Sequence, residues 1–384
     1  MHPSNTYICP KCLSARPLST QTASPPPAAY TALPSRRLLS IHGPDAAKFL
    51  QGVITSTITP TTAQSTGGFY TAFLSSRGRV LNDVFIYRDY AQSSQAGGVD
   101  GQAWVIDVDA EEAERLAKHI TKFRLMAKFE VRVLNVGERT LWTTWKDGEG
   151  GWTKHKIGGE ESAVTEQFGK NAVGCVDMRA PGMGTRLVVS GDEVPEGLFG
   201  ELGETTPEMY RVRRYLKGVP EGQDELLRDE ALPQESNVDY MGGLDYKKGC
   251  YVGQELTIRT HHTGVIRKRV LPVMVYGHDE PEPKVLEYLP GNGIQAEQIL
   301  TGTSIGRSER RGRTAGKWLN GVGNIGLGLC RLETMTDVKV QGDPEGYKEG
   351  DVFLLEWQPK DRDAKAVKVK AFVPPWHPSR LASH

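Results

Sequence analysis

The segment K-K-G-C-Y-V-G-Q-E, Lys247 to Glu255, sets one cysteine among glycines, cations and a carboxylate. A core thiol normally stands among Leu, Ile and Val. Here Gly249 and Gly253 permit tight backbone turns, and the chain continues E-L-T-I-R-T-H-H-T-G-V-I-R-K-R, polar and basic. This pattern predicts an accessible thiol. If G-Q-E-L-T-I-R opens a helix, Cys250 lies just before its N-terminus and close to Lys247 and Lys248. Both positive features favour a thiolate. A thiolate attacks electrophiles, ligates soft metal or forms mixed disulfides.

The partners of each chemistry narrow the choice. Nucleophilic catalysis needs a base. His261 and His262 are near in sequence, but no Asn or Asp partner announces itself. An iron–sulfur cluster usually takes four ligands, so a single thiol would share a cluster with another protein. Cys175 and Cys330 stand in apolar, strand-like runs and read as core. Cys9-Pro-Lys-Cys12 is half of a zinc pattern with no second half at finger spacing. Five scattered cysteines argue against a disulfide framework and for a reducing compartment. No Walker, Rossmann or HExxH pattern is present.

Glu255 and Arg259 have the i,i+4 spacing of a helix-surface ion pair. Two basic clusters, Arg259, Arg267, Lys268 and Arg269, then Arg307, Arg310, Arg311, Arg313 and Lys317, read first as solvated faces. A polyanion such as a polyglutamate tail or RNA backbone is the rarer use. Without aromatic interleaving, nucleic acid is not expected as a partner.

The elements that must position these groups follow from pattern. Ordered structure is expected from R-L-L-S-I-H-G. In G-P-D-A-A-K-F-L-Q-G, Pro44 suits the first helical residue and Gly52 the stop. F-Y-T-A-F-L-S, the turn S-S-R-G-R and V-L-N-D-V-F-I-Y read as a hairpin. A-W-V-I-D-V is a strand, after which Asp109 caps a helix with an Ala113, Leu116, Ile120 and Phe123 stripe. F-E-V-R-V-L-N-V closes this unit, residues 146–170 read as a Gly-rich loop, and T-R-L-V-V-S is a strand. P-E-M-Y-R-V-R-R-Y-L-K is a helix ended by Gly218. Irregular mixing of strands and helices predicts α+β. From about Arg269, short strands (R-V-L-P-V-M-V-Y, T-S-I-G-R, N-I-G-L-G-L-C, V-F-L-L-E-W, A-V-K-V-K-A-F-V) predict a small antiparallel barrel.

At 384 residues with 47 basic and 47 acidic side chains, the chain has no net field drawing it to nucleic acid or membrane. Its apolar runs are too short to cross a bilayer, and no membrane partner is expected. Met1 to Arg37 contains no acid but carries Lys11, Arg16, Arg36 and Arg37 among Ser, Thr, Pro and Ala. That is how a mitochondrial presequence reads. The expected division is a disordered presequence over 1–36, an α+β region over 37–268, and a barrel domain with its tail over 269–384.

L-x-x-x-G-P-D-A-A-K-F-L-Q-G, G-R-V-L-N-D-V-F-I-Y, L-P-Q-E-S-N and K-G-C-Y-V-G-Q-E with the downstream R-K-R together resemble the YgfZ branch of the folate-binding T-protein family. T-protein is the aminomethyltransferase of glycine cleavage. With the presequence and the closing V-P-P-W, the chain is similar to the mitochondrial, Iba57-type iron–sulfur assembly members of that family. The resemblance covers roughly residues 37–374, and K-G-C-Y-x-G-Q-E is its specific part.

It implies three subdomains around a central hole, where relatives bind tetrahydrofolate, with a C-terminal barrel closing the ring. It implies a matrix protein acting late in maturation of four-iron, four-sulfur enzymes, together with A-type (Isa) scaffolds. Lys248, Gly249, Cys250, Tyr251, Gly253, Gln254 and Glu255 match the signature, with Cys250 as ligand of a shared cluster. Asp83, Arg214, Glu235 and Arg259 fall at positions of a folate-type site, and Asp83 is the candidate acid or base. Two departures stand out. Leu216 occupies the place of the pterin-contacting Glu, and Asn82-Asp83 replaces an adjacent acidic pair. An assembly factor is therefore expected before a turnover aminomethyltransferase. The alternatives are a tetrahydrofolate-dependent one-carbon transferase and an RNA-contacting accessory module.

Overall fold

The computed structural model describes residues 24–58, 67–89, 103–148, 172–194, 197–291, 293–308, 314–340, 346–358 and 365–381. Cys9, Cys12, Arg310, Arg311, Arg313 and most of the 146–170 loop lie outside the described residues.

Strands β2 (Arg36–His42), β3 (Gly68–Leu74), β4 (Val80–Arg88), β5 (Ala103–Asp109) and β6 (Glu130–Val133) form an antiparallel sheet ordered β3-β4-β5-β2-β6. The expected hairpin is β3–β4. Helices α1 (Ala46–Val53) and α2 (Ala113–Phe123) cover one face of this sheet. The first helix begins two residues after Pro44 and continues through Gly52, so Gly52 is an interior residue rather than a stop.

The other face packs on a second sheet, ordered β10-β1-β7-β9-β8, from β1 (Ala28–Ala32), β7 (Arg139–Lys146), β8 (Ala172–Val176), β9 (Thr185–Ser190) and β10 (Gly203–Glu204). Strand β1 lies within the stretch expected to be a disordered presequence. It pairs with both β7 and β10, and Trp145 Nε1 donates to Pro26 O at 2.8 Å. Ordered chain therefore starts well before Arg37. A-A-Y-T-A escaped notice because it is short and follows three prolines.

Burial on both faces makes alternation decisive. Along β4, Val84 and Ile86 face the helices, while Phe85 and Tyr87 face the second sheet. Asp83 shares the inner parity with Phe85, and Asp107 shares it with Val105 on β5. A period of two thus carries charges into the space between the sheets.

Helix α3 (Pro207–Lys217) has Thr206 as cap, Pro207 as first residue and Gly218 in the left-handed conformation at φ 69°. It packs Val212, Tyr215 and Leu216 against barrel residues Val270, Ile325 and Leu327. The barrel is closed in the order β11-β14-β13-β12-β15-β16, built from β11 (Lys268–Tyr276), β12 (Ser304–Arg307), β13 (Gly316–Val322), β14 (Ile325–Arg331), β15 (Phe353–Trp357) and β16 (Lys365–Ala371). Of the six barrel strands, β13 alone is absent from those expected on sequence. Its G-K-W-L-N-G-V is interrupted by a register shift between Trp318 and Asn320.

Candidate functional site

The Cys250 loop is built on the carboxyl end of α1. The last carbonyls of a helix lack partners within it, and Lys248 supplies one. Its Nζ donates to Gln51 O, Ile54 O and Ser56 O at 2.9, 2.7 and 3.0 Å. A cation there also suits the helix dipole. Val252 N donates to Gly52 O at 3.1 Å, a second stitch to the same helix. Tyr251 is buried in the main core beneath the loop, and Gln254 Oε1 accepts from Tyr251 N at 3.2 Å.

Helix α4 (Gln254–Thr263) starts at Gly253, whose φ is 82°. A Cβ at Gly253 would stand 2.4 Å from Ser75 O, and one at Gly78 would stand 2.9 Å from Gly253 O. These glycines let the start of α4 rest directly on the β3–β4 turn. Gly249 differs: an added Cβ meets nothing within 4 Å. Between these anchors Cys250 is exposed, whereas Cys175 and Cys330 are buried in core clusters, as expected of them.

Two expectations about the thiol's surroundings change. Three residues separate Cys250 from the first residue of α4, and the Lys248 ammonium is committed to three carbonyls. Those groups therefore serve to hold the loop. His261 stacks on Tyr246 with ring centroids 3.7 Å apart. Glu255 and Arg259 are exposed on α4. Among the described residues, no three His, Cys, Asp or Glu side chains converge to hold a metal ion.

Of the residues assigned to a folate-type site, Asp83 and Arg214 fall in one buried charge network, while Glu235 and Arg259 stand apart from it. Asp83 is fully buried and pairs with Arg36 at 3.2 Å while accepting from Gly222 N at 3.1 Å. Arg214 is held by Glu225 at 2.7 and 3.1 Å and by Val219 O at 2.9 Å. Glu235 lines a separate cleft of about 440 Å³ with Lys268, Arg79 and Lys317. A second cavity of about 300 Å³ reaches Arg36, Arg214 and Glu221, and Glu225 borders both. Leu216 packs towards the barrel. Arg269 also leaves its expected place in a surface cluster: it is buried, bonded to Asp239 and stacked on Tyr240 with its guanidinium carbon 3.6 Å from the ring centre.

What sequence reasoning missed is a buried network between the sheets. Arg36 bonds Asp107 at 2.6 Å, and Arg186 bonds Asp107 at 2.6 Å and Glu221 at 2.7 Å. Arg179 bonds Asp177 at 2.7 Å, Tyr210 at 2.9 Å and Glu221 at 2.8 Å. Arg186 also lies over Phe85, 4.4 Å from its ring centre. Burial alone would raise the Glu221 carboxyl, but Arg186, Arg179, Arg214 and Arg36 hold it well below the usual range. Burial pushes Asp83 the other way, up, against the pull of Arg36. The carboxyls of Asp83, Asp107, Asp177, Glu221 and Glu225 outnumber the guanidiniums of Arg36, Arg179, Arg186 and Arg214 in this network by one. The available signal was a charge inside an otherwise apolar strand, as in V-I-D-V and T-R-L-V-V.

A family model described as the CAF17 C-terminal beta-barrel domain matches residues 267–379. The chain is 46% identical to the "Iron-sulfur cluster assembly factor IBA57 homolog, mitochondrial" of Pyricularia oryzae, across 99% of this chain and 94% of that one. The proteins of the same name from Chaetomium globosum and Aspergillus fumigatus are 44% and 41% identical, over 94% and 97% of this chain and 87% and 90% of theirs. Among solved structures, glycine cleavage system aminomethyltransferase T from Bartonella henselae superimposes with a TM-score of 0.59 over 93% of this chain and 88% of that one. At 13% identity, that likeness speaks to the fold alone. Identity of this order along nearly the full length shows that the chain belongs to the family of mitochondrial IBA57 homologues.

Proposed function

We propose that the chain serves iron–sulfur cluster assembly in the mitochondrial matrix by presenting Cys250 to a cluster carried on a partner. The observation that carries this reading is the contrast among the described cysteines, of which Cys250 alone is exposed. Its loop is pinned at Lys248, Tyr251 and Gly253, while Gly249 leaves open space on the outward side. A thiol loses its proton on ligation, and one sulfur supplies one ligand. The remaining ligands come from the second protein, for which an A-type (Isa) scaffold is the fitting class. Four-iron, four-sulfur enzymes maturing late in the pathway are the clients.

The aminomethyltransferase-like fold raises the question of tetrahydrofolate. Asp83 and Arg214 are already paired inside the protein and Leu216 offers no hydrogen bond to a pterin nitrogen. These residues do not fit that group.

The test mixes the chain with an A-type scaffold, iron and sulfide under anaerobic conditions and compares visible absorption for wild type and Cys250→Ser. The proposal expects a charge-transfer band that requires both proteins and is lost in Cys250→Ser. Equal cluster formation by both forms would remove the ligand role.

A further inference from the structure

Between Arg115 and Phe129 the chain carries Arg115, Lys118, Lys122, Arg124 and Lys128 and no Asp or Glu. In a chain of zero net charge, that is a local field. Helix α2 buries Ala113, Leu116 and Ile120 on the first sheet, leaving Lys118 and Lys122 exposed. The turn that follows holds Leu125 at φ 51°, a left-handed conformation uncommon outside glycine. This turn projects apolar side chains outward: Leu125 is 86% exposed, Met126 94% and Phe123 50%. Lys128 is exposed beside them.

Not every cation is available. Arg124 folds back to donate to Phe129 O at 2.9 Å, and Arg115 lies 3.3 Å from Glu112. Two acids border the turn: Asp45, which accepts from Lys128 N at 2.7 Å, and Glu130, 3.6 Å from His42. The ammoniums of Lys118, Lys122 and Lys128 remain around a protruding apolar tip.

We propose that this Phe123–Lys128 edge is a peripheral docking surface for an anionic phospholipid bilayer. Its shape decides between occupants. A protein or peptide anchor is usually received in a pocket, whereas this surface is itself the wedge. An apolar wedge ringed by lysines enters the boundary between headgroups and acyl chains while its ammoniums meet lipid phosphates. Neutrality of the whole chain predicts no membrane partner; the placement of charge in the fold reverses that expectation for this one edge.

The edge also communicates with the thiol loop through α1. Asp45 N donates to Lys128 O at one end of that helix, and Val252 N donates to Gly52 O at the other. A helix of eight residues spans about 12 Å, so docking here holds the Cys250 loop close to the lipid surface.

Co-sedimentation of the purified chain with liposomes tests this. The probes are phosphatidylcholine alone and phosphatidylcholine mixed with phosphatidylglycerol, at low and high salt. The chain is expected to pellet with the anionic vesicles only and to be released by salt. Leu125→Ser with Met126→Ser should weaken binding about tenfold, and Lys118→Glu with Lys122→Glu and Lys128→Glu should abolish it. All these side chains are exposed, so unchanged thermal unfolding verifies that the variants fold. Failure to bind anionic vesicles at low salt, equal binding to neutral ones, or undiminished binding by the Ser variant overturns the proposal. So does a finding that the Ser variant loses only a protein partner.

Discussion

The space between the two sheets and the loop at Cys250 are both polar, yet they treat polarity in opposite ways. Inside, Arg36, Arg179, Arg186 and Arg214 meet carboxylates at hydrogen-bond distance. Outside, the loop is anchored through Lys248 and Gln254, while the thiol it carries stands in the open. Charge satisfied within the protein holds a fold together; a nucleophile held rigidly at the surface is available to something else. On the function proposed above, the chemistry lies at the rim of this fold rather than at its centre.

The contrast can be broken from the inside. Arg186→Met takes one guanidinium from buried Asp107 and Glu221, which keep Arg36 and Arg179, and removing one partner of such pairs costs up to about 3–5 kcal/mol. Urea unfolding should show that loss, while the refolded fraction keeps Cys250 accessible to alkylation. A smaller effect is expected at the loop. Gly253→Ala places a side chain 2.4 Å from Ser75 O at positive φ and should cost on the order of 1–3 kcal/mol, with altered thiol reactivity. Gly249→Ala meets nothing in the chain. It should leave stability unchanged, so any effect on function reports the partner's approach. Thermal unfolding of the two variants side by side checks the difference.

Acid sharpens the comparison further. Glu221 is held below its usual range by its guanidiniums. Its contribution is present above the ordinary carboxylate range and is lost as pH falls through the folded value. Glu221→Gln should flatten the acid limb of the stability curve. Asp83→Asn should do less than Glu221→Gln, because burial raises the Asp83 carboxyl instead of lowering it, so its ionisation contributes less. Denaturant midpoints at pH 7 and pH 4 distinguish the two, and a large loss for Asp83→Asn would contradict this description of the network.

Much of the scaffold was legible because its signals are local. Thr206, Pro207 and Gly218 bound α3 as capping rules require, and S-S-R-G-R marks the β3–β4 turn. The exposed thiol was legible too, from the glycines and charges around it. The network was not, since Arg36 and Asp107 lie 71 residues apart and Arg186 and Asp107 lie 79 apart. Each reads alone as a surface charge. Arg269 failed for the same reason: its partner Asp239 is 30 residues away. The Lys248 cradle was hidden because main-chain carbonyls leave no mark in sequence.

Alkylating the native chain with a maleimide and mapping the label by peptide mass, alone and with a cluster-loaded A-type scaffold, decides whether Cys250 is the exposed ligand. Cys250 is expected to label readily in the free chain and to be protected by the loaded scaffold, whereas Cys175 and Cys330 label only after unfolding. An unreactive Cys250 in the free chain, or equal labelling with and without the loaded scaffold, would contradict that role.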